Sequence, residues 1–301
     1  MKKLVRLPIP KTELANQLGV SRSIFYYQPR LPQKDEGLKF QIEQVMENNQ
    51  AYGHKRIALA LGINKKRALR VMKKFGIKPY KRRSKFTKLE DQNKPALSYP
   101  NLVKKLCPIA PNVVWATDFT YLEYQNKFLY LSTVIDVFTR EILGWNISFA
   151  RNQYLMLGAL INAFNMTKTK PHIHHSDQGS GYDSNEYLDQ LKNKGIQISM
   201  SAKASPWENP FQESYYSQFK LELGQTNRFN TLGELIEAIH LTISNYNQTR
   251  IHTKLKMSPR QFKQNYYQRL NQTIQVTQNI NLTNQTTDQV GFRQVVEKMG
   301  T

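Results

Sequence analysis

The chain has 301 residues, 43 Lys plus Arg against 22 Asp plus Glu, a formal charge of +21 and a single cysteine. That length allows two or three domains with one sizeable core, and one cysteine excludes an internal disulfide framework or a cysteine-based zinc site. No apolar run reaches the roughly 18 residues of a membrane span and the start lacks a signal-peptide pattern, so the expected location is the cytoplasm, in association with the nucleoid.

The charge is segregated. Residues 1–110 carry 25 basic and 7 acidic residues, whereas residues 111–301 carry 18 and 15. Segregation of this kind suits a polyanion-binding front half joined to a nearly neutral domain, better than a basic surface that serves solubility alone.

In chain order, residues 10–28 read as helix, tight turn and helix. Leu14, Ala15 and Leu18 share a face, Gly19 permits the turn, and Ser21 caps a second helix that turns Arg22, Ser23 and Tyr26 outward. This is a helix-turn-helix pattern over 1–33, which an ordinary helical hairpin would also produce. After a break at Pro29–Glu36 a second such unit is expected over 34–79. Phe40, Ile42, Val45 and Met46 form an amphipathic helix, and Tyr52-Gly-His-Lys55-Arg56-Ile follows. Asn64 then caps a helix to Phe75 that Gly76 ends. Lys65, Lys66, Arg67, Arg70, Lys73 and Lys74 sit on that short helix without an acid, a composition suited to phosphate contact. Residues 80–110 read as a basic linker in which Lys81, Arg82 and Arg83 can lie on DNA.

From Pro111 the texture changes. Val113–Leu122, Phe128–Val137 and Ile142–Ser148 are β-branched and aromatic, with a hairpin turn over Glu123–Lys127. Helix, strand, helix, strand and helix follow at Tyr154–Asn165, His172–Ser176, Asn185–Lys194, Ile196–Met200 and Pro210–Leu223. That order predicts an α/β domain over 111–226 with a mixed five-stranded sheet and flanking helices. Helices at Thr231–Tyr246 and from Ser258-Pro259 complete a C-terminal region, 227–277, before a polar tail, 278–301.

Three acids stand out in this domain. Asp118 is planted in an apolar strand, Asp177 ends another strand, and Glu213 lies on a helix, with 35 residues between it and Asp177. A carboxylate in a strand core is costly unless a cation meets it, so three on converging elements point to divalent metal and phosphodiester chemistry. Lys220, two helical turns after Glu213, shares its face and can meet a phosphate. Asp136 is read as structural, paired with Arg140; His174 and His175 as packing near DNA rather than zinc ligands; Cys107 as a buried or half-buried thiol.

Val-Trp-Ala-Thr-Asp-Phe-Thr-Tyr (114–121), His-Ser-Asp-Gln-Gly-Ser-Gly-Tyr (175–182) and Trp-Glu-Asn-Pro-Phe-Gln-Glu-Ser-Tyr (207–215) resemble the signature of bacterial insertion-sequence transposases with a retroviral-integrase-type DDE core, specifically the second-frame product. Tyr-Gly-His-Lys-Arg-Ile (52–57), Tyr-Asn-Gln-Thr-Arg-Ile-His (246–252) and Ser258-Pro259 resemble segments of the same group. The resemblance implies an RNase H-like fold and Asp118, Asp177 and Glu213 as catalytic, metal-holding residues. It further implies two Mg2+ or Mn2+ ions, and cleavage and joining of double-stranded DNA at element ends and target by a homo-oligomer of at least two chains. Ala204, Glu208 and Pro210 depart from the family's usual Gly, Asp and Ala. The alternative expectation is a sequence-specific DNA-binding regulator whose catalysis has lapsed.

Overall fold

The structure is a computed structural model that describes residues 10–26, 31–80, 99–179, 181–202 and 208–275. Lys81, Arg82, Arg83, Ala204 and the tail beyond 275 therefore lie outside the described residues.

The first helix, α1 (Lys11–Leu18), ends at Gly19 in the left-handed region (φ 63°), as the sequence requires. The second element is one stretch of 3-10 helix, Arg22–Tyr26, instead of a full recognition helix. The Pro-containing break after it is shorter than expected. Helix α2 (Leu31–Asn48) already begins at Leu31, where Pro32 occupies the first turn and its missing N–H has no helical bond to lose. Helices α3 (His54–Ala60) and α4 (Lys65–Lys74) are joined by a turn with Gly62 at φ 63°, and Asn64 caps α4 by accepting from the Lys66 N–H at 2.8 Å. Leu38, Ile42, Ile57, Ala68, Val71 and Met72 make the core of this helical unit. Buried Asp35 ties α2 to α4, accepting from both Arg70 terminal nitrogens at 2.5 and 2.7 Å and from Lys74 at 3.0 Å.

The sheet is built from β1 (Val114–Tyr124), β2 (Lys127–Asp136), β3 (Ile142–Ser148), β4 (Ile173–Ser176) and β5 (Gln197–Met200), in the order β3-β2-β1-β4-β5. Strands β1, β2 and β3 are antiparallel neighbours, and β4 and β5 extend the sheet in parallel from β1. This is the RNase H-like order. The first hairpin is tighter than the five-residue turn expected from sequence. Tyr124 pairs with Lys127, and Gln125 and Asn126 take φ values of 47° and 61°, which suit the right-handed twist of a two-residue turn.

Strand alternation sends Val114, Ala116, Leu122 and Tyr124 to one face, where α7 (Pro210–Leu223) and α8 (Leu232–Gln248) cover them. Trp115 faces the other way, against α5 (Gln153–Thr167), and α6 (Asn185–Asn193) packs beside α5 through Tyr187, Leu188 and Leu191. Helix α8 is capped by Thr231, which accepts from the Glu234 N–H at 3.2 Å. A last helix, α9, runs over 259–275, further than the polar sequence after Asn271 suggests.

Two local expectations are corrected. Asp136 does not pair with Arg140. It accepts from the backbone N–H groups of Asn112, Phe138 and Thr139 and from the Thr139 hydroxyl, at 2.6 to 3.0 Å, which satisfies the carboxylate inside its own turn. The Arg140 guanidinium lies instead 3.9 Å over the Phe211 ring. Cys107 is exposed rather than buried, on a surface segment beside exposed Leu106 and Ile109.

Gly144 sets the distance between β3 and α5: a Cβ there would lie 2.3 Å from the Ala159 carbonyl oxygen and 2.4 Å from the Ala163 nitrogen. Because both obstacles are backbone, Gly144→Ala must push the helix off the sheet. We expect it to cost about 1–3 kcal/mol or more of stability by overpacking, read as a lower urea midpoint with an unchanged slope.

Candidate active site

Strand β4 accompanies β1 only through the pairs Val114–Ile173, Trp115–His174 and Ala116–His175. Beyond them the two strands part, and Asp118 and Asp177, each two residues past the last pair, flank the opening. A sheet of this kind presents its ligand crevice where parallel strands separate at their carboxyl ends. The Asp118 carboxylate accepts from the Phe119 N–H at 2.8 Å, and Asp177 accepts from the Gly179 N–H at 2.9 Å.

The two carboxyls are not at ease. Asp118 is pushed up to about 7, first by burial and then by the charge of Asp177, with a smaller rise from Glu213, against the opposing pull of the Phe119 N–H. Asp177 is raised by burial too, against the opposing pull of the Gly179 N–H and of Arg151. Arg151 lies 4.8 Å over the Phe119 ring, so one cation sits at the edge of the acidic pair.

Glu213 is delivered by α7, whose position is fixed by amide and phenol groups on its buried side. Asn209 donates to the Thr117 carbonyl at 3.0 Å, and Gln212 donates to the carbonyls of Ala116 and Thr133 at 2.8 and 3.0 Å. Tyr216 donates to the Asp118 carbonyl at 2.6 Å. The Thr133 hydroxyl bonds to Gln212 and Tyr216 at 2.9 Å each. These polar groups bond carbonyls of β1 and β2, so a helix is locked to strand backbone rather than resting on it through apolar packing alone.

Glu213 itself is exposed on the first turn of α7. Asp118 thus senses both other acids, yet among the described residues no three carboxylates, imidazoles or thiols converge closely enough to hold one ion together. Lys220 lies on the same helix and places its ammonium 4.7 Å over the Tyr121 ring. Buried Tyr182 stands near Asp118 and Asp177, and its hydroxyl has no hydrogen-bond partner among the described residues. His174 and His175 are neutral packing groups. Burial drives them down to about 3 and 4, and they bond Tyr187 at 3.2 Å and Ser199 at 2.9 Å.

Glu208, one of the departures from the family's usual residue, accepts from Asn101 and from the Ala202 N–H at 3.1 and 2.9 Å. Its extra methylene relative to Asp reaches across to both partners just ahead of α7. Arg151, Tyr182, Asn209, Gln212 and Tyr216 were not singled out from the sequence. The available signal was the spacing of 209, 212 and 216, one polar stripe running from the cap down a helix whose other buried positions are Tyr215, Phe219 and Leu223.

The candidate DNA-contact residues divide. Arg22, Ser23, Tyr26, Lys55, Lys65, Lys66, Arg67 and Lys73 are exposed. Arg70 and Lys74 are engaged by Asp35, and half-buried Arg56 turns inward toward Tyr52, 5.7 Å from its ring.

Residues 108–206 and 194–259 each match a family described as Integrase core domain. The chain is 36% identical to the Lactococcus lactis transposase for insertion sequence element IS904, over 72% of this chain and 89% of that protein. It is 30% identical to the Escherichia coli putative transposase InsK for insertion sequence element IS150, over 86% of this chain and 95% of that protein. Among solved structures it is similar to the HTLV-2 integrase catalytic core domain in complex with magnesium, at 18% identity, over 52% of this chain and 98% of that one, with a TM-score of 0.41.

The raised Asp118 carboxyl carries a consequence for stability. Its folded value lies above that of the unfolded chain, so the folded state binds the extra proton and loses stability as pH rises from about 4 to about 7. In metal-free buffer Asp118→Asn should therefore raise Tm at pH 8 and leave it nearly unchanged at pH 4. Thermal denaturation at both values, with chelator present, checks this.

Proposed function

This chain belongs to the insertion-sequence transposases that carry an integrase core domain, and on that premise we propose that Asp118, Asp177 and Glu213 are the acids of its strand-cleavage and strand-transfer centre. The enzyme is a polynucleotidyl transferase of the DDE class. The observation that carries the assignment of the acids is the electrostatic conflict at the strand opening. Asp118 is raised by burial and by Asp177 and Glu213, an arrangement that a bound cation relieves and that folding alone does not reward.

The donor set fits a hard divalent ion: carboxylate oxygens, with no thiol beside them and with the neighbouring imidazoles committed to Tyr187 and Ser199. Asp118, Asp177 and Glu213 would hold Mg2+ or Mn2+, two ions in the family's manner. When bound, such ions stabilise the attacking and leaving oxygens of a phosphoryl transfer. The protein's own part is positional. The Asn209, Gln212 and Tyr216 bonds hold α7 against β1, and so keep Glu213 in range of the aspartates. Arg151 and Lys220 offer positive charge on either side of the acids for the DNA backbone.

The DNA partner is double-stranded, at element ends and at target, with the exposed lysines and arginines of α3 and α4 as the phosphate-contacting surface. Joining two ends calls for at least two chains on DNA, acting on chromosomal DNA in the cytoplasm. Among the described residues no helix is long and apolar enough to cross a membrane. Nothing in the relatives favours a regulator with lapsed catalysis.

Asp118→Asn, Asp177→Asn and Glu213→Gln should each abolish Mg2+-dependent strand transfer while leaving duplex affinity within about twofold of the parent. Retained joining in any one variant removes that residue from the centre. Independently of activity, Mg2+ should raise the Tm of the parent protein and fail to raise that of Asp118→Asn.

A further inference from the structure

Two sequence motifs that the catalytic centre does not use meet in space. Tyr52, from the segment 52–57, accepts from the Ile251 N–H at 2.6 Å through its hydroxyl, and Ile251 packs into the core of the helical unit. That contact seats the α3 residue Arg56 beside the segment Tyr246–His252 at the end of α8. The turn between β2 and β3 is brought to the same place by Asn247, which bonds both the N–H and the carbonyl of Ile142 at 2.9 Å and carries Arg140 with it.

The resulting cluster is overloaded with positive charge. Arg250 is fully buried and already satisfied, bonded to Glu222 and, at 2.6 Å, to Gln218. Arg56 and Arg140 are only half-buried and make no salt bridge or hydrogen bond to a carboxylate among the described residues; Glu222 and Asp136 act on them only as nearby charges, and both rest on aromatic rings. Arg56 Nε, Arg140 Nη1 and His252 Nδ1 are buried without a hydrogen-bond partner among the described residues. The strain registers on the neighbours. Burial and the charges of Arg140, Arg250 and Arg56 drive His252 down to about 4, and Arg56 is itself lowered by burial and by Arg250. Exposed Lys254 adds a further cation at the rim.

Buried polar groups without partners are costly, and guanidinium groups that share one side of a seam need an anion between them. Glu222 gives its hydrogen-bonded ion pair to Arg250 and reaches Arg56 only as a nearby charge. We propose that Arg56, Arg140 and His252 form an anion seat at the seam between the helical unit and the catalytic core, and that its ligand is a backbone phosphate of the DNA. The guanidinium fork suits a phosphate, and the seam adjoins α3 with its exposed Lys55. The choice of DNA as the source rests on the transposase reading; the existence of the seat does not. A phosphate held there would bind the two parts of the chain through one group, so DNA would favour the arrangement in which they are docked.

The test uses the full chain without divalent metal. Inorganic phosphate, compared with chloride at matched ionic strength, should raise Tm saturably, and Arg140→Gln and Arg56→Gln should each lose that rise while Lys170→Gln keeps it. With a duplex of arbitrary sequence, Arg140→Gln should flatten the slope of log affinity against log salt by about 0.9, so that affinity falls about threefold less between about 50 and 200 mM salt. Absence of a phosphate-specific rise in the parent, or a full rise in both variants, overturns the seat. A rise that the variants abolish, with an unchanged salt slope, overturns DNA as its source. Neither arm measures joining, so a failure here is separate from a failure of the catalytic assignment.

Discussion

The site depends on a helix being hydrogen-bonded to the backbone of a strand. Helix α7 could rest on the sheet through Tyr215, Phe219 and Leu223 alone, but apolar packing tolerates sliding. Gln212 removes that freedom. Its amide meets carbonyls of two different strands, and Asn209 and Tyr216 repeat the contact one turn on either side. The bonds act together on carbonyls of Ala116, Thr117, Asp118 and Thr133, so displacement of α7 breaks several at once. The position of Glu213 relative to Asp118 is therefore set by the residues beside it in sequence, not by the acids, which repel one another.

That division of labour explains what was legible in the sequence. Strand alternation placed Asp118 on the face of Val114 and Ala116, and helix bounds at Pro210 and Leu223 followed from proline at the first turn and an apolar last turn before Gly224. The five-stranded order was readable because three β-rich runs precede an alternation of helix and strand. Tertiary partners were not readable. Arg140 follows Asp136 closely enough to suggest a pair, yet backbone N–H groups nearer in space took the carboxylate and left the arginine to an aromatic ring on α7. Arg70 and Lys74 look like free cations in a helix without acids, and their acid arrives from α2, 35 residues upstream of Arg70.

The helical unit shows the same limit from the opposite side. Its capping signals, Asn64 and the glycines at 19 and 76, act within a few residues, and the structure has them where the sequence predicts. The second element of the first helix-turn-helix pattern is not the helix the sequence predicts. The Ser21 hydroxyl accepts from the Ser23 N–H at 3.4 Å in a short 3-10 turn, and nothing in Arg22–Tyr26 buries a face that would extend it. Exposed Tyr26 instead carries Lys11 at 4.6 Å over its ring, a surface that is basic and aromatic without being a packed helix.

Asp118 shows why such a site is held at a cost. A neutral residue of the same shape would remove the desolvation of the carboxylate and the repulsion from Asp177, and the Phe119 N–H bond only partly offsets both. The surrounding structure has to absorb that cost, and it does so in the strand's own ladder, where the register from Trp115 to Tyr124 against β2 is unbroken. In the proposed reading the penalty is what gives the acids their affinity: groups that are unstable as neighbours in the ion-free protein gain most when a cation enters. The rigid clamp of α7 and the strained pair on β1 and β4 are then two halves of one arrangement. A looser clamp would let the acids relax apart and would weaken their hold on the cation.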